Sequence, residues 1–135
     1  MLYVTRREVF SASHKLLNES LSDEENKAIY DKCNNKYGHG HNYTLEVMVA
    51  GEINPKTGYV IDLKKLKRII REYVISKVDH HHLNYDVDFM TGIIPTTENI
   101  AVAIWEQLDS KINEGKLCSV KLYETENNYI EYKGE

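Results

Sequence analysis

The chain is short of cysteine, of long apolar runs and of any decisive excess of charge. Cys33 and Cys118 are its two cysteines, too few for a disulfide framework. The opening Met-Leu-Tyr-Val-Thr-Arg-Arg has no apolar segment of a secretory signal, so a reducing, cytoplasmic setting is expected. The longest fully apolar run, Ile100 to Trp105, falls far below the roughly twenty residues a helix needs to cross a bilayer, and no membrane partner is expected. Seventeen basic residues against twenty-one acidic ones leave a net charge of -4, which gives no reason to expect a nucleic-acid partner.

The 135 residues suit one domain, 1–135, and the 41% hydrophobic and 28% charged content is that of an ordinary soluble domain. Ten tyrosines are many, and their enrichment in half-buried strands accounts for them without a bound ring. Chemistry-bearing residues gather in one stretch, Cys33-Asn-Asn-Lys-Tyr-Gly-His-Gly-His-Asn-Tyr43. His39 and His41 begin an alternation that Tyr43, Leu45, Val47 and Val49 continue, which predicts a strand. Side chains two apart in a strand share a face, so the His-Gly-His pair aims both imidazoles one way. A zinc site that does chemistry takes three protein ligands and keeps an open position. For the third ligand, His14 and Cys33 are both candidates.

In chain order, Leu2 to His14 predicts a strand that puts Val4, Phe10, Ala12 and His14 on one face. Lys15 to Lys32 is a long polar excursion with one helical turn, and loops of that length in a small domain tend to be functional. Asn54-Pro55-Lys56-Thr57-Gly58 has the chemistry of a turn, so Tyr59 to Ile61 is expected to return antiparallel to the His-Gly-His strand. Asp62 then caps a helix with Leu63, Leu66, Ile69, Ile70, Tyr73 and Val74 as its apolar stripe; Lys64, Lys65, Lys67, Arg68 and Arg71 face water. Thr96 or Thr97 caps a second helix with the stripe Ile100, Ile104, Leu108 and Ile112, ending by Gly115. Leu117 to Thr125 and Tyr129 to Lys133 form a last hairpin. The expected order is ββααββ, an α+β sheet covered by helices on one face, whose open edges suggest an oligomer.

These motifs, in this order, resemble the 6-pyruvoyl-tetrahydropterin synthase family. The resemblance rests on Phe10-Ser11-Ala12-Ser13-His14, Cys33-Asn34-Asn35 with Gly38-His39-Gly40-His41-Asn42-Tyr43, and Thr57-Gly58 leading to Asp62-Leu63. It continues through Asp79-His80, Thr96-Thr97-Glu98-Asn99 and Tyr123-Glu124-Thr125, and covers the chain from about Arg6 to Glu135. It implies the tunnelling fold: four-stranded antiparallel sheets with two helices, joined as trimeric β-barrels, two of which stack as a hexamer with sites between subunits. It also implies that His14, His39 and His41 hold Zn2+, which frees Cys33 for chemistry. By the same resemblance Cys33 is the base, assisted by Asp79 and His80, while Glu124 anchors the pterin and Thr96, Thr97 and Glu98 complete its pocket. The implied reaction converts 7,8-dihydroneopterin triphosphate to 6-pyruvoyl-tetrahydropterin with loss of triphosphate, for which Arg6, Arg7 and Lys15 are cations within plausible reach. The family pattern is Asp-His and requires neither His81 nor His82.

Lys36-Tyr37 departs from the Pro-Asn usual in the family, which bears on the loop shape and not on its spacing. A sister enzyme, 6-carboxytetrahydropterin synthase of queuosine biosynthesis, shares substrate and zinc and releases acetaldehyde; its members usually place three residues between Cys and His-Gly-His. Here five, Asn34 to Gly38, intervene, which favours the pyruvoyl product. A zinc-stabilised assembly protein that only binds pterins is the alternative of another class. It would need none of Cys33, Asp79 and His80.

Overall fold

In the computed structural model, which describes residues Met1–Glu135, two thirteen-residue strands carry the molecule. β1 (Leu2–His14) and β2 (His39–Gly51) pair antiparallel along their whole length, from Leu2 opposite Gly51 to His14 opposite His39. β4 (Lys116–Thr125) adds to the other side of β2, and β5 (Asn128–Tyr132) closes a hairpin onto β4. The two-residue β3 (His81–His82) runs parallel to β1, giving the order β3-β1-β2-β4-β5. The sheet is therefore five-stranded and mixed, where the sequence predicts four antiparallel strands.

The predicted return strand Tyr59–Ile61 does not form. Both edges of β2 are taken, by β1 and by β4, so no backbone is left for it to pair with. Gly58 does adopt the positive φ expected of the turn, 83°, and the segment turns inward instead, burying Val60 and Ile61 in the core. Asp62 caps α2 (Leu63–Ile70) by accepting from the Lys64 N–H. The backbone continues through a π turn at Arg71–Ile75 into α3 (Ser76–Val78). The wider turn lets the stripe Leu66, Ile69, Ile70, Val74 and Val78 keep facing the sheet. It also brings Arg71, expected to face only water, onto Glu8: its Nε donates to Oε1 at 2.7 Å.

α4 (Thr97–Leu108) is capped by Thr96 rather than Thr97. Its Ile100, Ile104 and Leu108 meet Tyr43, Leu45, Val47 and Val49 of β2 in one apolar core of twenty-five residues. The excursion after β1 holds more order than one turn. Ser22 and Glu25 make a reciprocal capping box that starts α1 (Asp23–Tyr30). Asn26, 1% exposed, fastens it: its amide accepts from the Asn18 N–H and donates to the Asn18 and Ser22 carbonyls.

Candidate active site

His14, His39 and His41 converge because register requires it. His14 and His39 stand opposite one another at the end of β1 and β2, and His41 lies two residues further on the same face. One potential ligand nitrogen from each lies within 4.8 Å of the others, and the His14 and His39 Nε2 atoms are 3.2 Å apart. Nitrogens held about 2.0–2.1 Å from one tetrahedral ion would be roughly 3.3 Å from each other, so small ring rotations close the set on a metal.

The donor chemistry fits as well. The Pro95 carbonyl, 2.8 Å from His14 Nδ1, can only accept, so that nitrogen carries the proton and Nε2 presents its lone pair to the cluster. His41 Nε2 is buried without a hydrogen-bond partner, an unmade bond that a metal would complete. Burial lowers the pKa of His14, with the Pro95 contact opposing. Burial likewise lowers that of His41 against the pull of Glu124. Both shifts favour the neutral imidazole, the form that ligates metal.

The cysteine alternative for the third ligand is thus unnecessary for the cluster. Cys33 sits in a 3-10 turn, Asp31–Asn34, laced to the end of β1: its carbonyl accepts from the Leu16 N–H at 2.8 Å, and the Asn34 side chain donates to the Leu16 carbonyl at 2.9 Å. Gly38 then passes so close to His14 that a Cβ would lie 2.5 Å from the His14 carbonyl oxygen, and its φ is 77°. Only glycine fits.

Glu124 reaches the same place from β4. Its Oε1 is 3.7 Å from His41 Nε2 and its Oε2 accepts from the Thr97 hydroxyl at 2.7 Å. Thr96, Thr97, Glu98 and Glu124 together line a cavity of about 540 Å³, a volume in the range of small-ligand sites. Sequence reasoning missed its remaining wall, Leu16 with Asn127, Asn128, Tyr129 and Ile130. The signal for it lies in Glu126-Asn127-Asn128, the polar residues between the two strands of the predicted last hairpin. Tyr43 lies beneath, with its ring stacked on Phe10 and its phenol pushed well above the ordinary range by burial.

Asp79 and His80 lie elsewhere, beside Ser11 on the β3 edge of the sheet. The Ser11 N–H donates to Asp79 Oδ1 at 2.9 Å and holds its carboxyl below the usual carboxylate range. The same oxygen is 3.1 Å from His80 Nδ1. The His80 side chain is 82% exposed, and its backbone takes a φ of 61°, so within one chain the ring stands largely in solvent beside Asp79. Its neighbours have local partners: His81 Nδ1 donates to the Asp79 carbonyl, and His82 Nδ1 accepts from the Asn84 N–H. The three consecutive histidines therefore do not form a second metal cluster.

Residues 3–135 match the family model described as 6-pyruvoyl tetrahydropterin synthase. The chain is 49% identical over 132 residues to the 6-pyruvoyl tetrahydrobiopterin synthase of Homo sapiens, covering 98% of this chain and 91% of that protein. It is 48% identical to the Dictyostelium discoideum protein of the same name, covering 98% and 96%. A solved structure of Caenorhabditis elegans 6-pyruvoyl tetrahydropterin synthase superposes with a TM-score of 0.94 at 43% identity, over 99% of this chain and 96% of that one.

Proposed function

Because this chain belongs to the 6-pyruvoyl tetrahydropterin synthase family of lyases, we propose that it converts 7,8-dihydroneopterin triphosphate to 6-pyruvoyl-tetrahydropterin with elimination of triphosphate. The observation that carries the proposal is the convergence of Glu124 and the three histidines at one end of the sheet, beside the cavity that Glu124 lines. A carboxylate suits the amidine-like edge of a pterin, which offers parallel N–H donors. The hydrogen bond from Thr97 sets the orientation of that carboxylate.

His14, His39 and His41 would hold Zn2+, whose contribution when bound is Lewis-acid polarisation of the substrate's side-chain hydroxyl oxygens. Cys33 takes the side-chain proton and returns it in the rearrangement, general acid–base work at carbon. Asp79 orients His80, which exchanges that proton with Cys33. The redox change is internal: the hydroxyl carbon next to the ring becomes a carbonyl as its two hydrogens move to the ring's C=N bond, and the second carbonyl forms as triphosphate leaves the neighbouring carbon and the resulting enol tautomerises to a methyl ketone. No outside oxidant is needed.

His80 is exposed in one chain, which supports a site completed by a second subunit and hence the barrel-forming hexamer that the family resemblance implies. The free state of Cys33 and Cys118 suits the cytoplasm. No helix is long and apolar enough to cross a membrane.

The test is product identification from 7,8-dihydroneopterin triphosphate with purified protein. Formation of 6-pyruvoyl-tetrahydropterin and inorganic triphosphate is expected. Acetaldehyde with a 6-carboxypterin product would transfer the chain to the sister activity, and pterin binding without turnover would make it an assembly protein.

A further inference from the structure

We infer that the substrate's triphosphate is held by a lysine cleft on the Cys33 turn, formed by Lys27, Lys32 and Lys36. The inference rests on the pterin triphosphate reading above and assigns a subsite to the anionic tail. Of the three cations on and just after the first strand, two are already engaged, and Lys15, which has no carboxylate partner either, does not line the cleft. Arg6 pairs with Glu8, and Arg7 donates to Glu46 Oε2 at 2.6 Å and 3.0 Å. Lys27, Lys32 and Lys36 have no carboxylate within ion-pair distance. They line one cleft of about 590 Å³ with Asp31, Asn34 and Asn35, and no apolar side chain faces it. Three lysines against one aspartate leave an excess of two positive charges, in a chain whose net charge is -4.

Position makes the cleft relevant. Its residues Lys32 and Asn34 flank Cys33 directly. Leu16 links it to the pterin cavity, since the residue that lines that cavity also bonds through its backbone to Cys33 and Asn34. A ligand with its ring against Glu124 and its side chain toward the histidines and Cys33 therefore directs its tail over the Cys33 turn. A polyphosphate suits a group of mobile ammonium ions, each acting as a point charge. Lys27 also complements the negative C-terminal end of α1, which explains one lysine and neither of the others.

A second basic cleft provides the control. Lys64, Lys67, Arg68 and Arg71 line about 670 Å³ along the helix that Asp62 caps and the π turn after it, and no residue of the Cys33 turn lines that cleft. Calorimetry with inorganic triphosphate and, separately, with unphosphorylated 7,8-dihydroneopterin would be run on wild type, Lys32→Glu/Lys36→Glu, and Lys67→Glu/Arg68→Glu. The first pair is expected to weaken triphosphate binding about a hundredfold, roughly tenfold per charge-assisted contact, and to raise KM for the full substrate. Dihydroneopterin affinity should stay within about twofold, which also reports an intact fold. The second pair should leave both ligands unchanged. The milder Lys32→Gln/Lys36→Gln variant should show the same order of effects.

Triphosphate affinity unchanged in the Lys32/Lys36 variants, or weakened equally by the Lys67/Arg68 pair, would overturn the assignment. Loss of lysine dependence with turnover intact sinks the cleft alone. Absent turnover with lysine-dependent triphosphate binding sinks the proposed reaction and leaves the cleft standing.

Discussion

The two halves of the candidate site are built differently. The histidine cluster and Glu124 project from three adjacent strands, β1, β2 and β4, so sheet register sets their separations before any ligand arrives. Cys33 sits on a turn secured by two bonds to Leu16, and Asp79 with His80 stands at the sheet's edge with the imidazole in solvent. The groups proposed to bind metal and pterin are thus preorganised within one chain, whereas the proposed acid–base groups are left to be brought together. Binding energy is best held on rigid elements; proton transfer needs reach between groups, and a subunit interface can supply it.

The comparison is broken most severely at the metal. His39→Ala is expected to abolish stoichiometric zinc and all turnover while the far-UV spectrum stays folded, since the core lies in the apolar cluster rather than at the ion. Elemental analysis of the purified variant decides it, and a full equivalent of retained zinc would reject the ligand set. Cys33→Ala should do the converse, keeping zinc and pterin affinity while kcat falls by about two to four powers of ten, the usual scale for a positioned acid–base group.

Mixing sharpens the contrast. If Cys33 and His80 act from different subunits, Cys33→Ala and His80→Ala preparations, each nearly inactive, should recover measurable activity after dissociation and joint reassembly. Continued inactivity of the mixed oligomer would confine the site to one chain. On the binding half, Glu124→Gln is expected to weaken pterin binding by roughly tenfold to a hundredfold, the range for a lost hydrogen bond to a charged group. Titration with dihydroneopterin measures it; zinc content should not change.

The smallest effect concerns the frame. Glu8 is buried at 7% exposure; burial alone would raise its pKa, and hydrogen bonds from Arg71 and Arg6 outweigh that and lower it. A group whose pKa is depressed on folding stabilises above its unfolded value and loses that contribution as pH falls through the folded one. Wild type should therefore lose stability as pH drops below about 4.5, and Glu8→Gln should be less sensitive there while costing about 1–3 kcal/mol near neutrality. Urea melts at a series of pH values check both; equal acid sensitivity would remove Glu8 from the account.

Much of this was legible before any fold was known. Alternation put Phe10, Ala12 and His14 on one side of their strand and His39, His41 and Tyr43 on one side of theirs, and the buried positions follow that pattern. Asp62, Thr96 and the two helical stripes were equally readable, because caps and periodicity are local chemistry. The capping box of Ser22 and Glu25 is local chemistry of the same kind, set inside the polar excursion expected to hold one helical turn.

Parity alone, however, cannot say which strand neighbours which. Pairing is a competition for edges, and the winner is settled by the whole sheet: β1 and β4 occupy both sides of β2, which denies Tyr59–Ile61 a partner and sends Val60 and Ile61 into the core. The same pairing brings His14 opposite His39 across twenty-four intervening residues and sets Glu124 beside His41. The sequence by itself determined which side chains share a face, since that follows from backbone periodicity. Only the tertiary structure decided which faces meet, and that His80 remains exposed, because long-range contacts depend on every other strand and helix having found its place.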